Sequence, residues 1–553
     1  MLTISTPRRA LQAAALFALL AVCATVHDFG QTANQAISQT RETSGRLVLV
    51  LPFDNRTGQS NLAWISDSFP DTLNQRLTSA GFLTITRDDR LYALDHLGLP
   101  ADFKPTRATT IRMAQTLDAD YVVVGSYTVR DGRIAVQAQT LSVNQLRLSR
   151  PLDDSSPLER LFDVENAIAW KVAHQIDPQF KVAEQTFLAA SSGVKLSAFE
   201  DYIRGTGSAN PDERQRRLRQ AVQDTPNYAA ALLALGKTEF AEREYDQAAT
   251  TLGKIPPSDR RALEAGFYLG LSRFNTAKYG AAETAFGFVA SRLPLPEVVN
   301  NQAVAASRQG KDAVALFQRA STADPSDADY HYNLAVAFLD RGDSSNSLRE
   351  VETALKVRTT DAEAIELRNR LNAARGVSGA ALSGPALKAA VTAGGFDPVT
   401  RVRRTYTEAA FRQAAFQMDQ MRAVRLATLP LQEQAAQYVK LGHDYLSHGL
   451  IPEAEQEFQS ALAADGHSAA AHAGLAQIRE HSGNAAAARS EAQTSLGLQP
   501  NVAAYLVLAR LELQASNLPG SASDVSNALH LEPANSAVLG MKQALATRGQ
   551  TLP

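Results

Sequence analysis

The closest approach to a catalytic pair in this sequence is Asp118 and Asp120, since two carboxylates at short spacing can share a proton or hold a cation. They stand directly before the apolar run Tyr121-Val122-Val123-Val124, where aspartate ordinarily ends a turn, and the turn is the stronger reading. His443 and His448 sit across the end of a helical pattern, and His467, His472 and His481 are scattered, so none shows the one-turn spacing of a helical metal pair. Gly205-Thr206-Gly207 lacks the strand, the third glycine and the lysine of a phosphate loop and reads as a hairpin turn. Cys23 is the only cysteine, which leaves a chain cut after Ala24 with no thiolate and no disulfide. No nucleophile elbow and no zinc-binding His-Glu helix occurs. The sequence predicts no catalytic residue, no cofactor and no metal, so its function is expected to reside in surfaces.

What positions such surfaces begins with composition. Of 553 residues, 45% are hydrophobic and 20% charged, enough apolar material for several cores. A net charge of -2 carries no basic excess and predicts no nucleic-acid partner. Arg8 and Arg9 precede the apolar stretch Ala10 to Ala24, too short to span a bilayer and laid out as an export signal. Residues 1–24 are thus expected to be a signal peptide and 25–44 a polar tether. Val22-Cys23-Ala24 offers cleavage after Ala24; Leu20-Ala21-Val22-Cys23 is similar to a lipoprotein box with Val22 in place of a small residue, so lipidation of Cys23 is the other fate. The expected location is the periplasm or the outer membrane's surface, with the membrane reached only through such an anchor or an envelope complex.

Residues 45–180 read as a small α/β domain, a mixed sheet with covering helices. Leu47 to Leu51 is a buried strand ended by Pro52, and Trp64, Ile65, Phe69, Leu73 and Leu77 recur at helical intervals. Asp131-Gly132 between Tyr121–Val124 and Ile134–Val136 is a strong hairpin signal, and Leu158 to Ile176 supplies a closing helix. Leu51-Pro52-Phe53-Asp54-Asn55, Leu117 through Ser126, and Arg130-Asp131-Gly132-Arg133 with Val136 to Leu141 together resemble the TolB-like amino-terminal domain of bacterial envelope proteins. That resemblance implies an α/β fold and a protein that works by assembly, and it carries over no catalytic residues.

Leu235-Gly236, Ala248 and Leu252 return about 34 residues later as Leu269-Gly270, Ala282 and Phe286. Leu441-Gly442, Tyr445, Ala454, Phe458 and Ala461 form the clearest unit, echoed by Leu475-Ala476, Ala488 and Pro500 and then by Leu508-Ala509, Val525 and Pro533. This is the tetratricopeptide pattern, in which small residues such as Gly442 and Ala454 let paired helices approach while Phe458 fills the space between them. It predicts an all-α superhelical solenoid in two segments: residues 196–375 with about five repeats, and 401–548 with a helical lead-in, about three repeats and a closing helix. Residues 376–400, rich in glycine and serine, read as a linker. Tyr406, Phe411, Met418 and Met421 show helical spacing within 401–433, and Arg401, Arg403 and Arg404 read as a solvated helix face.

The first helices of successive hairpins line a groove suited to an extended peptide or a partner helix. In this register the lining residues are expected to be Lys237, Phe240, Phe267, Phe274, Asn275, Tyr332, Asp340, His443, Leu446, His481, Arg510 and Gln514. Lys237 and Asn275 alone do not reproduce the set that clamps chaperone tails. The reading is an exported, non-enzymatic scaffold whose repeats bind a protein or peptide while the TolB-like domain docks to an envelope assembly. Two alternatives stay open: a structural part of an outer-membrane secretion or surface-polymer complex, forming oligomers through the N-terminal domain, and an unrecognised envelope hydrolase.

Overall fold

The computed structural model describes residues 46–552 apart from 102, 190–192, 377–381, 406–420, 423 and 448. The expected signal peptide, the tether, Cys23, His448 and the stripe from Tyr406 to Met418 lie outside the described residues. The chain forms two compact units: one takes the residues before 192, residues 422–446 and those from 450 onward, and the other takes 192–421 with 447–449.

The first unit opens with one mixed sheet of strands β1 (Leu47–Val50), β2 (Asp54–Asn55), β3 (Leu83–Thr84), β4 (Tyr121–Arg130), β5 (Arg133–Ser142), β6 (Arg147–Leu148) and β7 (Leu152–Pro157). Its path is β3-β1-β4-β5-β6, with β2 paired to β4 and β7 to β5. The β3–β1 and β1–β4 pairs are parallel, whereas β4 and β5 form an antiparallel hairpin closing at Arg130 and Arg133. Asp131 (φ 49°) and Gly132 (φ 71°) both take positive φ, as the two-residue turn of a twisted hairpin demands. Asp120 accepts a hydrogen bond from the Leu47 amide at 2.8 Å and returns one to the Leu47 carbonyl at 2.8 Å. It ties β4 to β1, while the exposed Asp118 makes the preceding turn at φ 51°.

Helices α1 (Ile65–Ser79), α2 (Arg87–His96), α3 (Arg107–Thr116) and α4 (Leu161–Ile176) cover this sheet. Leu94 on α2 and Met113 and Ala114 on α3 bury Leu49, Leu51, Val122 and Leu141. Helices α1 and α4 pack together, with α4 against β5 and β7. Their seam holds Glu165, which has no exposed surface, against the hydroxyls of Ser68 and Thr72. Ser68 has a single proton and already faces the Ile65 carbonyl at 2.9 Å, so the Glu165–Ser68 bond is best made by a protonated Glu165 donating.

Burial pushes the Glu165 carboxyl up to about 8. The folded state therefore holds a proton that the unfolded state releases above its ordinary carboxyl value, and stability is lost as pH rises through that window. The α/β domain is expected to lose roughly 3–4 kcal/mol between about pH 5 and 8, and Glu165→Gln, which keeps both bonds, to abolish that slope. Urea unfolding followed by tryptophan fluorescence measures this directly, because the chain's two tryptophans, Trp64 and Trp170, both belong to this domain.

Beyond α4 the chain turns through Phe180 and Val182, both buried, into α5 (Glu184–Ala189). The Trp170 indole donates to the Val182 carbonyl at 2.8 Å, and Phe187 meets Phe180 edge to face at 5.7 Å. The helices that receive α5 come from the far end of the sequence. They are α18 (Leu431–Ser447), α19 (Ile451–Ala464), α20 (Ala469–His481), α21 (Ala485–Leu498), α22 (Val502–Gln514), α23 (Leu518–Leu531) and α24 (Ser536–Ala546), and α5 lies on α19 and α20. Glu455, with no exposed surface, accepts from the Ala183 amide at 3.0 Å and from the Thr186 hydroxyl, and pairs with Arg479 at 2.7 Å. Within the array, a Cβ on Gly442 would lie 2.6 Å from the Phe458 ring and one on Gly474 2.4 Å from it, so the glycines make room for that ring.

The second unit comprises α6 (Leu196–Gly207), α7 (Pro211–Asp224), α8 (Ala229–Ala241), α9 (Tyr245–Leu252), α10 (Ala262–Asn275), α11 (Tyr279–Ala290), α12 (Pro296–Ser307), α13 (Val314–Ala323), α14 (Ala328–Arg341), α15 (Ser344–Val357), α16 (Ala362–Gly376) and α17 (Gly384–Thr392). Consecutive helices pack in pairs, α6 with α7 through α14 with α15. Two expectations are corrected here. Gly205-Thr206-Gly207 is the last turn of α6, where Gly205 is buried against Leu218 and Arg217 of the next helix, not a hairpin turn. The stretch expected as a linker contains α17, whose Leu387 and Val391 are buried with Leu367 and Leu371 of α16. It docks through glycine: Gly342, at φ 81°, accepts a hydrogen bond from the Gly384 amide at 3.2 Å, and a Cβ on Gly342 would fall 2.2 Å from Gly384.

Candidate functional site

Three fully buried asparagines stand in the interiors of α12 and α14: Asn300, Asn301 and Asn333. Asparagine is a poor helix former and a costly residue to bury, so each needs polar partners. They find them in an extended segment of the same unit, Thr400 to Arg403. The Asn333 side chain accepts from the Arg401 amide at 2.7 Å and donates to the Arg401 carbonyl at 2.8 Å. Asn301 does the same for Arg403, at 2.7 and 2.8 Å. Asn300 adds a bond to the Arg401 carbonyl at 3.1 Å and accepts one from Asn333 at 2.8 Å. A primary amide matches the donor and acceptor of one residue's backbone, so each clamp grips alternate residues of a strand-like chain whatever its side chains.

The side chains are held by charge. The Arg401 guanidinium forks onto both Asp361 oxygens at 2.6 and 2.8 Å, reaches Asp329 at 2.8 Å and Glu363 at 2.7 Å, and lies 3.8 Å over the Tyr332 ring. Arg403 pairs with Asp327 and with Asp329 at 3.1 Å, 5.2 Å over Tyr330. The hydrogen bonds from Arg401 hold the Asp361 carboxyl below its ordinary value against the opposing effect of burial. Between the two arginines, Val402 packs on the apolar clusters that contain Phe267 and Phe317, to which Phe274 also packs. First helices of three successive hairpins thus converge: Asn300 and Asn301 from α12, Asp329 to Asn333 from α14, and Glu363 from α16 with Asp361 at its N-terminus.

Arg401 and Arg403 are therefore corrected: they sit on extended chain, half-buried among carboxylates, and only Arg404 is exposed. Pro398 disfavours helix at the residue before it, and the asparagines then supply the backbone bonds that a helix would have made. Of the expected lining residues, Tyr332 meets this segment under Arg401, and Phe274 packs on the same apolar clusters as Val402. Phe267 does not; it is fully buried against Phe286 at 6.0 Å and belongs to the core. Lys237 pairs with Glu264 at 2.7 Å, and Phe240 is half-buried against Tyr245 and Tyr268. Asn275 is exposed and bonds its own helix at Leu271, and Asp340 is exposed and pairs with Lys388 at 2.7 Å. In the other unit, Leu446 packs into the Phe458 cluster, His443 sits at the edge of that ring at 5.1 Å, Arg510 forks onto Glu480, and His481 and Gln514 are exposed. They form no joint site. Among the described residues no group of three or more histidine or acidic side chains is arranged to hold a metal ion, and no helix is long and apolar enough to cross a membrane.

The tetratricopeptide repeat model matches residues 302–364 and 439–503, so both stretches contain tetratricopeptide repeats. The first match covers Asn333, Asp329 and Asp361. No curated protein matches the chain. Among solved structures, the chain is similar to the C-terminal domain of LpoB from Escherichia coli, at 24% identity over 21% of this chain and 84% of that one, with a TM-score of 0.19. It is also similar to MamA from Desulfovibrio magneticus RS-1, at 16% identity over 33% of this chain and 100% of that one, TM-score 0.27. YrrB, described as a TPR protein with an unusual peptide-binding site, matches at 14% identity over 37% of this chain and 99% of that one, TM-score 0.29.

Proposed function

We propose that the chain is an exported, non-enzymatic scaffold of the bacterial envelope whose first tetratricopeptide array grips an extended segment of a partner protein. The observation that carries this reading is the pair of asparagine clamps, which hold backbone groups two residues apart without chemistry on the bound chain. The arrangement can bind and orient a peptide. The apolar stretch after Arg8 and Arg9 supports export, and the motifs around Pro52 and Asp131 support a TolB-like domain that docks to an envelope assembly. Crosslinking in envelope fractions followed by affinity purification is expected to attach an envelope protein to helices α12 to α16. Asn301→Ala with Asn333→Ala should lose it. A chain that stays with the cytoplasmic fraction, or keeps the same companions after the double substitution, contradicts the proposal.

A further inference from the structure

The segment held by the first groove is the chain's own, yet little in the grip depends on that. On this segment Asn301 and Asn333 bond only main-chain groups, and Thr400 is held through its carbonyl by Arg308 at 3.4 Å. The anchoring of the neighbouring chain is separate: Phe396 packs with Leu387 and Val391 and lies under Arg370 at 4.8 Å, so residues 400–404 can leave while α17 stays docked. Once they leave, Asp327, Asp329, Asp361 and Glu363 lose both arginines, and Arg358, on Asp329 at 2.7 Å, is the cation that remains paired among the contacts described.

We propose that residues 400–404 are a built-in occupant of this groove, and that its ligand in trans is an extended peptide segment carrying arginine at alternate positions with a small apolar residue between. This rests on the reading of the array as a peptide-gripping scaffold and adds to it the ligand class and its regulation. The first arginine enters the Asp361–Glu363 fork over Tyr332, the second meets Asp327 beside Tyr330, and the residue between lies on the apolar cluster that holds Phe267. A tethered occupant competes at an effective concentration on the order of millimolar, so the trans ligand binds with an affinity reduced by the occupied fraction.

The test uses the full chain and a fluorescein-labelled peptide with the sequence of residues 398–405, read by anisotropy, against the same peptide with alanine at both arginines of the pair. The chain carrying Arg401→Ala and Arg403→Ala is expected to bind the arginine peptide at least about tenfold more tightly than the wild type, and the alanine peptide not at all. Equal binding of the two peptides overturns the arginine preference while leaving the groove a peptide holder. Binding of neither, by a variant whose circular dichroism matches the wild type, overturns both this inference and the scaffold reading. If the variant does not fold, amide exchange of the wild type under saturating arginine peptide decides. Faster exchange at Arg401 and Arg403 supports displacement, and unchanged exchange refutes it.

Discussion

Glu455→Ala is expected to release residues 181–189 from helices α19 and α20 and to cost roughly 3–5 kcal/mol. The carboxylate has no exposed surface and serves four partners at once: the Ala183 amide, the Thr186 hydroxyl, the Arg479 guanidinium and the Gln459 side-chain amide. Removing it leaves a half-buried cation without this counter-charge and an amide and a hydroxyl without this acceptor, each a desolvation cost. Glu455→Gln keeps an acceptor for the Ala183 amide and turns its NH2 to donate to the Thr186 hydroxyl, but loses the charge, and is expected to fall between alanine and the wild type. Urea unfolding read by tryptophan fluorescence reports the loss, since Trp170 donates to the Val182 carbonyl beside the released segment. A midpoint shift equivalent to less than about 1 kcal/mol for the alanine variant would refute this account of how the α/β domain holds the second array.

The second large effect belongs to Asn333. Asn333→Leu keeps the number and branching of heavy atoms and adds apolar surface at a fully buried position, so if apolar burial decided the outcome the change would be neutral or favourable. Hydrogen bonding is expected to win. The Arg401 amide and carbonyl lose their clamp and Asn300 loses a partner, at roughly 1–3 kcal/mol for each buried group left unsatisfied. The second unit should therefore unfold at lower urea by far-ultraviolet circular dichroism. The tryptophan-monitored transition should stay in place, because neither tryptophan lies in that unit. An unchanged dichroism transition would show that the clamp carries no stability.

Much of the local design is legible in the sequence because it is written in neighbouring residues. Asp131-Gly132 announces a hairpin through its backbone preferences alone, and the recurrence of Gly442 and Phe458 follows from the packing of adjacent helices. What escapes is what depends on partners far along the chain. Arg401 and Arg403 look like a wet basic face until Asp329 and Asp361 are placed beside them. The repeat register points Phe267 into the groove, but one residue along a helix turns the side chain by about 100°, and it is the next residue, Tyr268, that meets Lys237. One signal was available: Asn300-Asn301 interrupts the apolar helix Val298 to Ala306, and Asn333 repeats it one hairpin later, a periodic polar residue where packing calls for an apolar one. The joining of α5 to Glu455 leaves no such trace, since it unites segments some 270 residues apart.

The most direct test of the groove is amide hydrogen exchange at Arg401 and Arg403 in the intact chain. Both amides lie outside any helix or strand, so protection there can come only from the Asn333 and Asn301 side chains that accept from them. The account predicts slow exchange at both positions in the wild type and free-peptide rates in Asn301→Ala with Asn333→Ala. Exchange at free-peptide rates in the wild-type chain would show that the clamps do not hold an extended segment, and the scaffold reading would lose the observation that carries it.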